Sequence, residues 1–330
     1  MIVDCLILIK PEVCYYTLIK LFAIYHLIIG LIKSTIMLPV LLSIGPITIY
    51  SYGVVLFLGF LFGLFVIWKR SREEHFEEDQ IFDSILATSL YALLGARILY
   101  ILFHFNLFSL NPLSWLNLIG KPGFSVFGAL IGGFLAAFVQ AKKRKWDFFE
   151  FADILMLGAT LTYVFGWFGA FLNGSSVGKV TESFVGVAFQ GVYDQRHPVQ
   201  LYGVILYLVL FIYLWWVEGK YRTFEWYQGG KAGAKEGFIF FNFFLFSGLI
   251  GIILTVFSQA TISLLGLNID IWLYTIMLAV GLVGLYLRSG REFRKDLQNL
   301  GSNKERIKRI KAKERRRLRH RVSKSTDILG

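Results

Sequence analysis

The run Arg196-His197-Pro198-Val199-Gln200-Leu201-Tyr202 groups a guanidinium, an imidazole and a carboxamide about a proline suited to the first turn of a helix. These side chains at a helix amino end are equipped to hold an anion. The unpaired N–H groups there attract negative charge, and arginine grips phosphate oxygens through two bonds at once. The plainer alternative is an interfacial arginine and histidine that cap the helix. A second candidate is Gly166-Trp167-Phe168-Gly169-Ala170-Phe171-Leu172-Asn173-Gly174-Ser175-Ser176-Val177-Gly178-Lys179. Its glycines and small polar residues allow backbone to approach backbone or a ligand, and they leave N–H groups that could meet an anionic headgroup. Close helix packing is the alternative for Gly166 and Gly169. Arg97, in Leu94-Gly95-Ala96-Arg97-Ile98-Leu99-Tyr100, is a third. An arginine at mid-bilayer costs about 2.5–3.5 kcal/mol, so Arg97 either faces a partner inside a bundle or snorkels to the interface. The small-residue stripe Phe124-Ser125-Val126-Phe127-Gly128-Ala129-Leu130-Ile131-Gly132-Gly133 is packing chemistry by itself.

The elements that carry these residues are hydrophobic stretches near the roughly 20 residues needed to cross a bilayer. The expected spans are about 50–69, 81–104, 124–141, 151–172, 199–217, 237–262 and 270–288. No barrel-like alternation is evident, so the spans are helices, which satisfy their own backbone in lipid. The sequence predicts an all-α polytopic membrane protein of about seven transmembrane helices with a basic cytoplasmic carboxyl tail. Lys69, Arg70 and Arg72 follow the first span, Lys142, Lys143, Arg144 and Lys145 the third, Lys220, Arg222, Lys231 and Lys235 the fifth, and Arg288, Arg291, Arg294 and Lys295 the seventh. All four clusters fall on one face, which the positive-inside rule makes cytoplasmic, with the amino end outside. The opposite connectors, about 105–123, 173–198 and 263–269, are poor in Lys and Arg and rich in Gly, Asn, Ser and Pro.

Composition agrees: 56% of the 330 residues are hydrophobic and 17% charged, with a mean hydropathy of +0.60. The formal charge of +12 resembles a nucleic-acid signature only until it is located. From Arg288 onward there are 16 Lys and Arg against 5 Asp and Glu, so the membrane body is nearly neutral. Three regions are expected: an apolar extension over 1–36, a membrane domain over 37–288 and a basic tail over 289–330. The extension is interrupted by Lys20 and His26 and reads as an interfacial helix, an eighth span, or a start upstream of a true initiator at Met37. The tail reads either as a solvated segment or as a helix for anionic lipid of the inner leaflet, RNA contact being weaker. Two cysteines, Cys5 and Cys14, build neither a disulfide framework nor a metal site. No span carries the paired carboxylates or broken-helix repeats of an ion path.

In this order and spacing the motifs resemble the prolipoprotein diacylglyceryl transferase family over about Ser43 to Arg288. The landmarks are Ser43-Ile44-Gly45-Pro46 leading to Tyr50-Ser51-Tyr52-Gly53, then Gly95-Ala96-Arg97, Phe127-Gly128-Ala129-Leu130-Ile131-Gly132, Gly166 to Lys179, and Arg196 to Tyr202. The resemblance implies a bacterial plasma-membrane enzyme of lipoprotein maturation. Phosphatidylglycerol gives its diacylglyceryl group to the lipobox cysteine thiol of a prolipoprotein, and glycerol phosphate leaves; no metal or dissociable cofactor is implied. The partners are phosphatidylglycerol or a similar anionic phospholipid and lipobox signal peptides. Such a site binds an anionic headgroup, helps phosphate depart and favours the thiolate nucleophile. Arg97, Lys179, Arg196 and His197 are the residues expected to hold the headgroup, with Tyr52, Asn173, Gly178 and Gln200 around it.

The chain departs from the family at polar positions. The family's histidine ahead of its glycine stripe is Phe127. In the signature region its arginine is Trp167, its first asparagine Ala170 and its glutamate Ser175, while Asn173, Gly174, Gly178 and a basic residue, Lys179, are kept. The glutamate after the tyrosine of the fifth-span motif is Gly203, and the arginine and glutamate of the sixth span align with Ser247 and Gly251. Loss of phosphate-gripping arginines predicts either a weakened enzyme or a relative that binds lipid or lipoprotein without transfer.

Overall fold

The computed structural model describes residues 37–45, 47–108, 112–118, 120–222, 236–259, 263–264 and 266–289. The 1–36 extension and all of the tail beyond Ser289 lie outside the described residues. A hairpin of β1 (Val40–Ile44) and β2 (Ile47–Tyr50) leads into α1 (Ser51–Glu73), where the Ser51 N–H donates to the Pro39 carbonyl at 3.1 Å. Then come α2 (Glu78–Phe103), the short α3 (Phe105–Phe108) and α4 (Pro112–Leu116), α5 (Val126–Arg144) and α6 (Phe148–Leu172). The two-residue strands β3 (Val187–Ala188) and β4 (Gln195–Arg196) precede α7 (Val199–Arg222) and α8 (Phe238–Phe257). The tight hairpin of β5 (Ser263–Leu264) and β6 (Leu267–Asn268) opens α9 (Ile269–Arg288). Among the described residues seven helices, α1, α2 and α5 to α9, are long and apolar enough to cross a membrane.

Four helix ends differ from expectation for physical reasons. Helices α1, α5 and α7 run on to Glu73, Arg144 and Arg222; in α1 and α5 basic residues of the last turn complement the negative end of the helix dipole. Helix α8 stops at Phe257 instead of 262, because Ser258 is extended and pairs with Gly178.

The bundle is assembled from close pairs. α2 lies on α5 and α1 on α6, while α7 and α8 pack with α6 around Leu157, Val199, Tyr207, Leu214, Ile239 and Phe243. Gly95 of α2 meets Gly128 and Gly132 of α5 backbone to backbone: a Cβ on Gly95 would stand only 3.0 Å from the Gly132 Cα. The small-residue stripe therefore packs helices, as expected of such stripes in membranes. Large apolar side chains such as Phe57, Leu86, Leu102 and Ile131 face outward as a coat for lipid. One compact unit runs to Leu282. Of the next unit, from Val283, the described part is the last turns of α9 and Ser289.

At the basic end Arg70 pairs with Glu218 at 2.9 Å across α1 and α7, its guanidinium lying 4.6 Å from the Trp215 ring. Arg144 reaches Asp83 at 3.4 Å across α5 and α2. The start of α8 has no cap of its own. Asp153 of α6, 1% exposed, supplies it, accepting the Gly237 N–H at 2.8 Å and the Phe240 N–H at 2.7 Å. Hydrogen bonds to a charged group contribute about 1.5–3 kcal/mol each, so Asp153→Ala is expected to lose about 3–6 kcal/mol. A large drop in the thermal unfolding midpoint in micelles checks this. Asp153→Asn should recover only part of the loss, since an amide presents one acceptor to two donors.

Candidate functional site

At the end of the bundle opposite the basic clusters, α6 finishes in a closed backbone motif. Asn173 ends the helix and Gly174 follows at φ +66°. The Gly174 N–H donates to the Phe171 carbonyl at 3.0 Å and the Ser175 N–H to the Ala170 carbonyl at 3.1 Å. This reversal satisfies the last carbonyls of the helix and favours glycine at its left-handed position. Beyond it the Gly178 N–H donates to the His197 carbonyl (3.2 Å), the His197 N–H to the Lys179 carbonyl (3.0 Å) and the Lys179 N–H to the Phe257 carbonyl (2.8 Å). Three backbone segments, after α6, before α7 and at the end of α8, are sewn together. A Cβ on Gly178 would overlap the His197 carbonyl, which explains the glycine. The N–H groups of Gly174, Ser175, Gly178 and Lys179, expected to be open to an anion, are thus spent on carbonyls.

Six of the eight candidate residues meet at this suture: Asn173, Gly178, Lys179, Arg196, His197 and Gln200. Arg196 donates from Nη1 to the Gly178 carbonyl at 3.3 Å, while its Nε is buried without a partner. The exposed Lys179 donates from Nζ to the Val256 carbonyl at 2.7 Å. His197 places Nδ1 3.2 Å from the Tyr202 hydroxyl and its ring against Phe257. Gln200 is fully buried; its amide N–H donates to the Ser175 carbonyl and its Oε1 has no partner. Tyr52, at the head of α1, lies against Gly169, where a Cβ would come within 3.1 Å of its ring.

Arg97 belongs to a separate network. It is 8% exposed and donates from Nε to the Trp115 carbonyl (3.0 Å), from Nη1 to those of Lys121 (2.9 Å) and Gly123 (3.0 Å), and from Nη2 to that of Asn117 (3.3 Å). The Phe108 ring lies 4.9 Å from the guanidinium. Its partner is thus the α2–α5 connector, folded around one cation.

Behind the suture, the interior is filled by rings and by the glycines that leave them space. A Cβ on Gly203 would overlap the Trp167 indole, and one on Gly251 the Tyr274 ring. Phe127 packs on Tyr274 with ring centres 5.0 Å apart. Tyr163 stands edge-on to Tyr207 at 4.5 Å and 5.9 Å from Trp167. Tyr163 also interacts with Tyr274, and Ser247 lies beside Tyr207 outside hydrogen-bond geometry. Ala170 contributes its carbonyl, which takes both the Ser175 N–H and, at 3.3 Å, the Ser175 hydroxyl. Tyr163, Tyr207 and Tyr274 belong to no motif of the sequence. The available signal was their depth, since tyrosine in membranes favours the interface.

Fold and rim together define a multi-pass helical membrane protein whose polar machinery is gathered at one end of the bundle. The prolipoprotein diacylglyceryl transferase model matches residues 39–288, and the chain belongs to that family. It is 29% identical over 268 residues to the phosphatidylglycerol–prolipoprotein diacylglyceryl transferase of Clostridium tetani, covering 78% of this chain and all of that protein. With the enzyme of the same name from Pasteurella multocida it shares 36% identity over 201 residues, 59% of this chain and 72% of the relative. That of Mannheimia succiniciproducens is 33% identical over 226 residues, 67% and 80% of the two chains.

Proposed function

We propose that this chain transfers the diacylglyceryl group of phosphatidylglycerol to the thiol of a lipobox cysteine in a prolipoprotein. The thiolate sulfur bonds to the lipid glycerol carbon, the carbon–oxygen bond to phosphate breaks, and glycerol phosphate leaves with the electron pair. The observation that carries this reading is the family match over 39–288, which spans all seven membrane helices and both halves of the suture. Arg196, Lys179 and His197 at the rim bind the departing phosphate, and Tyr52, Asn173 and Gln200 orient the headgroup. Arg97 acts on the site by holding the connector between α2 and α5. The protein sits in a bacterial plasma membrane with the basic helix ends and the tail in the cytoplasm, in keeping with the positive-inside rule. The basic residues from Lys304 onward give the tail a surface for anionic lipid.

A second reading, lipid or lipoprotein binding without transfer, is favoured by one observation: Trp167 and Tyr274, seated against Gly203 and Gly251, fill the interior with rings where the resemblance implies charged residues. Complementation separates the two. The full chain is expressed in a bacterium depleted of its own diacylglyceryl transferase, and a reporter lipoprotein is followed by gel shift. Lipid attachment is the expected result, and well-inserted protein that attaches none, with its native lipid and substrate supplied, selects the binding reading.

A further inference from the structure

We propose that the hairpin of β1 and β2 is a docking strand for an extended, uncharged, apolar peptide, which adds to the sheet at an open edge and ends beside the suture. The lipobox segment of a prolipoprotein is the peptide in question. That identity rests on the transferase reading; docking by strand addition does not.

Three observations carry this. The hairpin is a sheet of two strands, and among the described residues no backbone hydrogen bond joins 41–49 to another segment. With two residues between Ile44 and Ile47, that pair exchanges hydrogen bonds, and the next pair, Ser43 and Thr48, turns its N–H and C=O groups away from the opposite strand. The side chains are apolar and bare: Val40, Leu41, Leu42, Ile44 and Ile49 are all exposed, Ile44 by 64%. Finally, no Lys, Arg, Asp or Glu stands between Met37 and Trp68.

Together these features select the occupant. Water satisfies the open edge and leaves the apolar side chains bare. Hydrocarbon covers the side chains and leaves the edge unpaired, which lipid does not tolerate. An extended apolar peptide answers both, with main-chain hydrogen bonds along the edge and alternate side chains against the exposed faces. It must be uncharged, since the hairpin offers no counter-ion to a charge that gives up its water. A second copy of the hairpin is a poorer fit: Pro39 and the irregular register between Val40 and Leu42 interrupt the β1 edge, and β2 has four residues, so only a short strand finds room.

Position ties the strand to the site. The Gln190 N–H donates to Met37 Sδ at 3.4 Å, and that sulfur lies 3.3 Å from where a Cβ on Gly174 would stand. At the other strand, β2 runs straight into Ser51 and Tyr52, and Tyr52 lies against Gly169. The base of the hairpin is thus fixed to the end of α6, and a strand added along it finishes there.

The test uses the full-length protein in lipid nanodiscs and a synthetic lipobox peptide with serine in place of its cysteine, so that binding is read without transfer. Two versions carry N-methyl groups on alternate residues, one on the odd and one on the even positions. A peptide held by one edge is expected to lose affinity at least tenfold in one version and little in the other. Equal affinities of the two versions, or no binding of the unmethylated peptide to folded protein, overturn the proposal. Ser43→Pro and Thr48→Pro each delete one outward N–H and no bond of the hairpin ladder. At least one of them is expected to weaken the peptide about tenfold at an unaltered melting midpoint, and full affinity in both overturns the edge. A photo-crosslinking residue at Leu42 gives a readout free of proline: attachment to the peptide is expected, and attachment only to lipid, to residues 1–36 or to a second copy names another occupant and ends the proposal. Transfer to the cysteine peptide is measured separately, so a chain that binds the serine peptide with the alternating pattern and transfers nothing loses the transferase reading and keeps the docking strand.

Discussion

Arg196→Ala is expected to reduce diacylglyceryl transfer to a lipobox peptide by a hundredfold or more. Arg196 is anchored at one nitrogen by the Gly178 carbonyl, and its Nε is buried without a partner, so its fork is held in place with capacity to spare. Removing one donor that stabilises developing negative charge typically costs about 10²–10³ in rate. Tryptophan at 167 and serine at 247 stand where the resemblance implies further arginines, so little compensation is at hand. Arg196→Lys keeps the charge and loses the planar fork, and it should fall between wild type and alanine. Transfer is read by mass shift of the peptide in nanodiscs containing phosphatidylglycerol. Wild-type rates in the alanine variant would remove Arg196 from the site.

Arg97→Ala should act on stability first. Its guanidinium binds the carbonyls of Trp115, Asn117, Lys121 and Gly123, so truncation releases four acceptors and empties a buried space. A buried acceptor left without its donor typically costs about 1–3 kcal/mol. The expected result is a marked fall in the melting midpoint and rapid protease cleavage within 105–123. Arg97→Lys should restore less than half, because one ammonium cannot reach acceptors spread around a planar fork. Should Arg97→Ala melt like the wild type and lose transfer alone, the residue serves the headgroup and not the connector.

The seven spans are legible in the sequence because lipid imposes a simple demand: long apolar runs, bounded by charge on one side and by small polar residues on the other. What escapes is whatever depends on a distant chain segment. The end of α8 is set by the Lys179 backbone, which takes the Phe257 carbonyl from a loop some 80 residues earlier. The N–H groups of Gly178 and Lys179 look free only when that segment is read alone; the His197 and Phe257 carbonyls that occupy them come from elsewhere. Arg97 visibly needs a partner, but four backbone carbonyls leave no mark in residue types. The aromatic interior is partly legible once the family resemblance is drawn, since Trp167, Gly203, Ser247 and Gly251 are where charges are missing. That the missing charges come with fitted rings is a matter of shape: the indole needs Gly203, and Tyr274 needs Gly251.

The carboxylate that caps α8 also bears on how the chain is made. Asp153 lies 84 residues ahead of the first N–H it receives, Gly237. At about 5–20 residues per second on a ribosome, that interval is roughly 4–17 s. Throughout it α6 carries a buried-type carboxylate whose final donors do not yet exist, and water or another transient partner must keep it company. When α8 arrives, the exchange of that partner for the Gly237 and Phe240 N–H groups rewards one placement of the helix start over any slipped by a turn. The acid thus works as a registration mark during biogenesis, and it makes the seating of the sixth span conditional on the fourth being already in place.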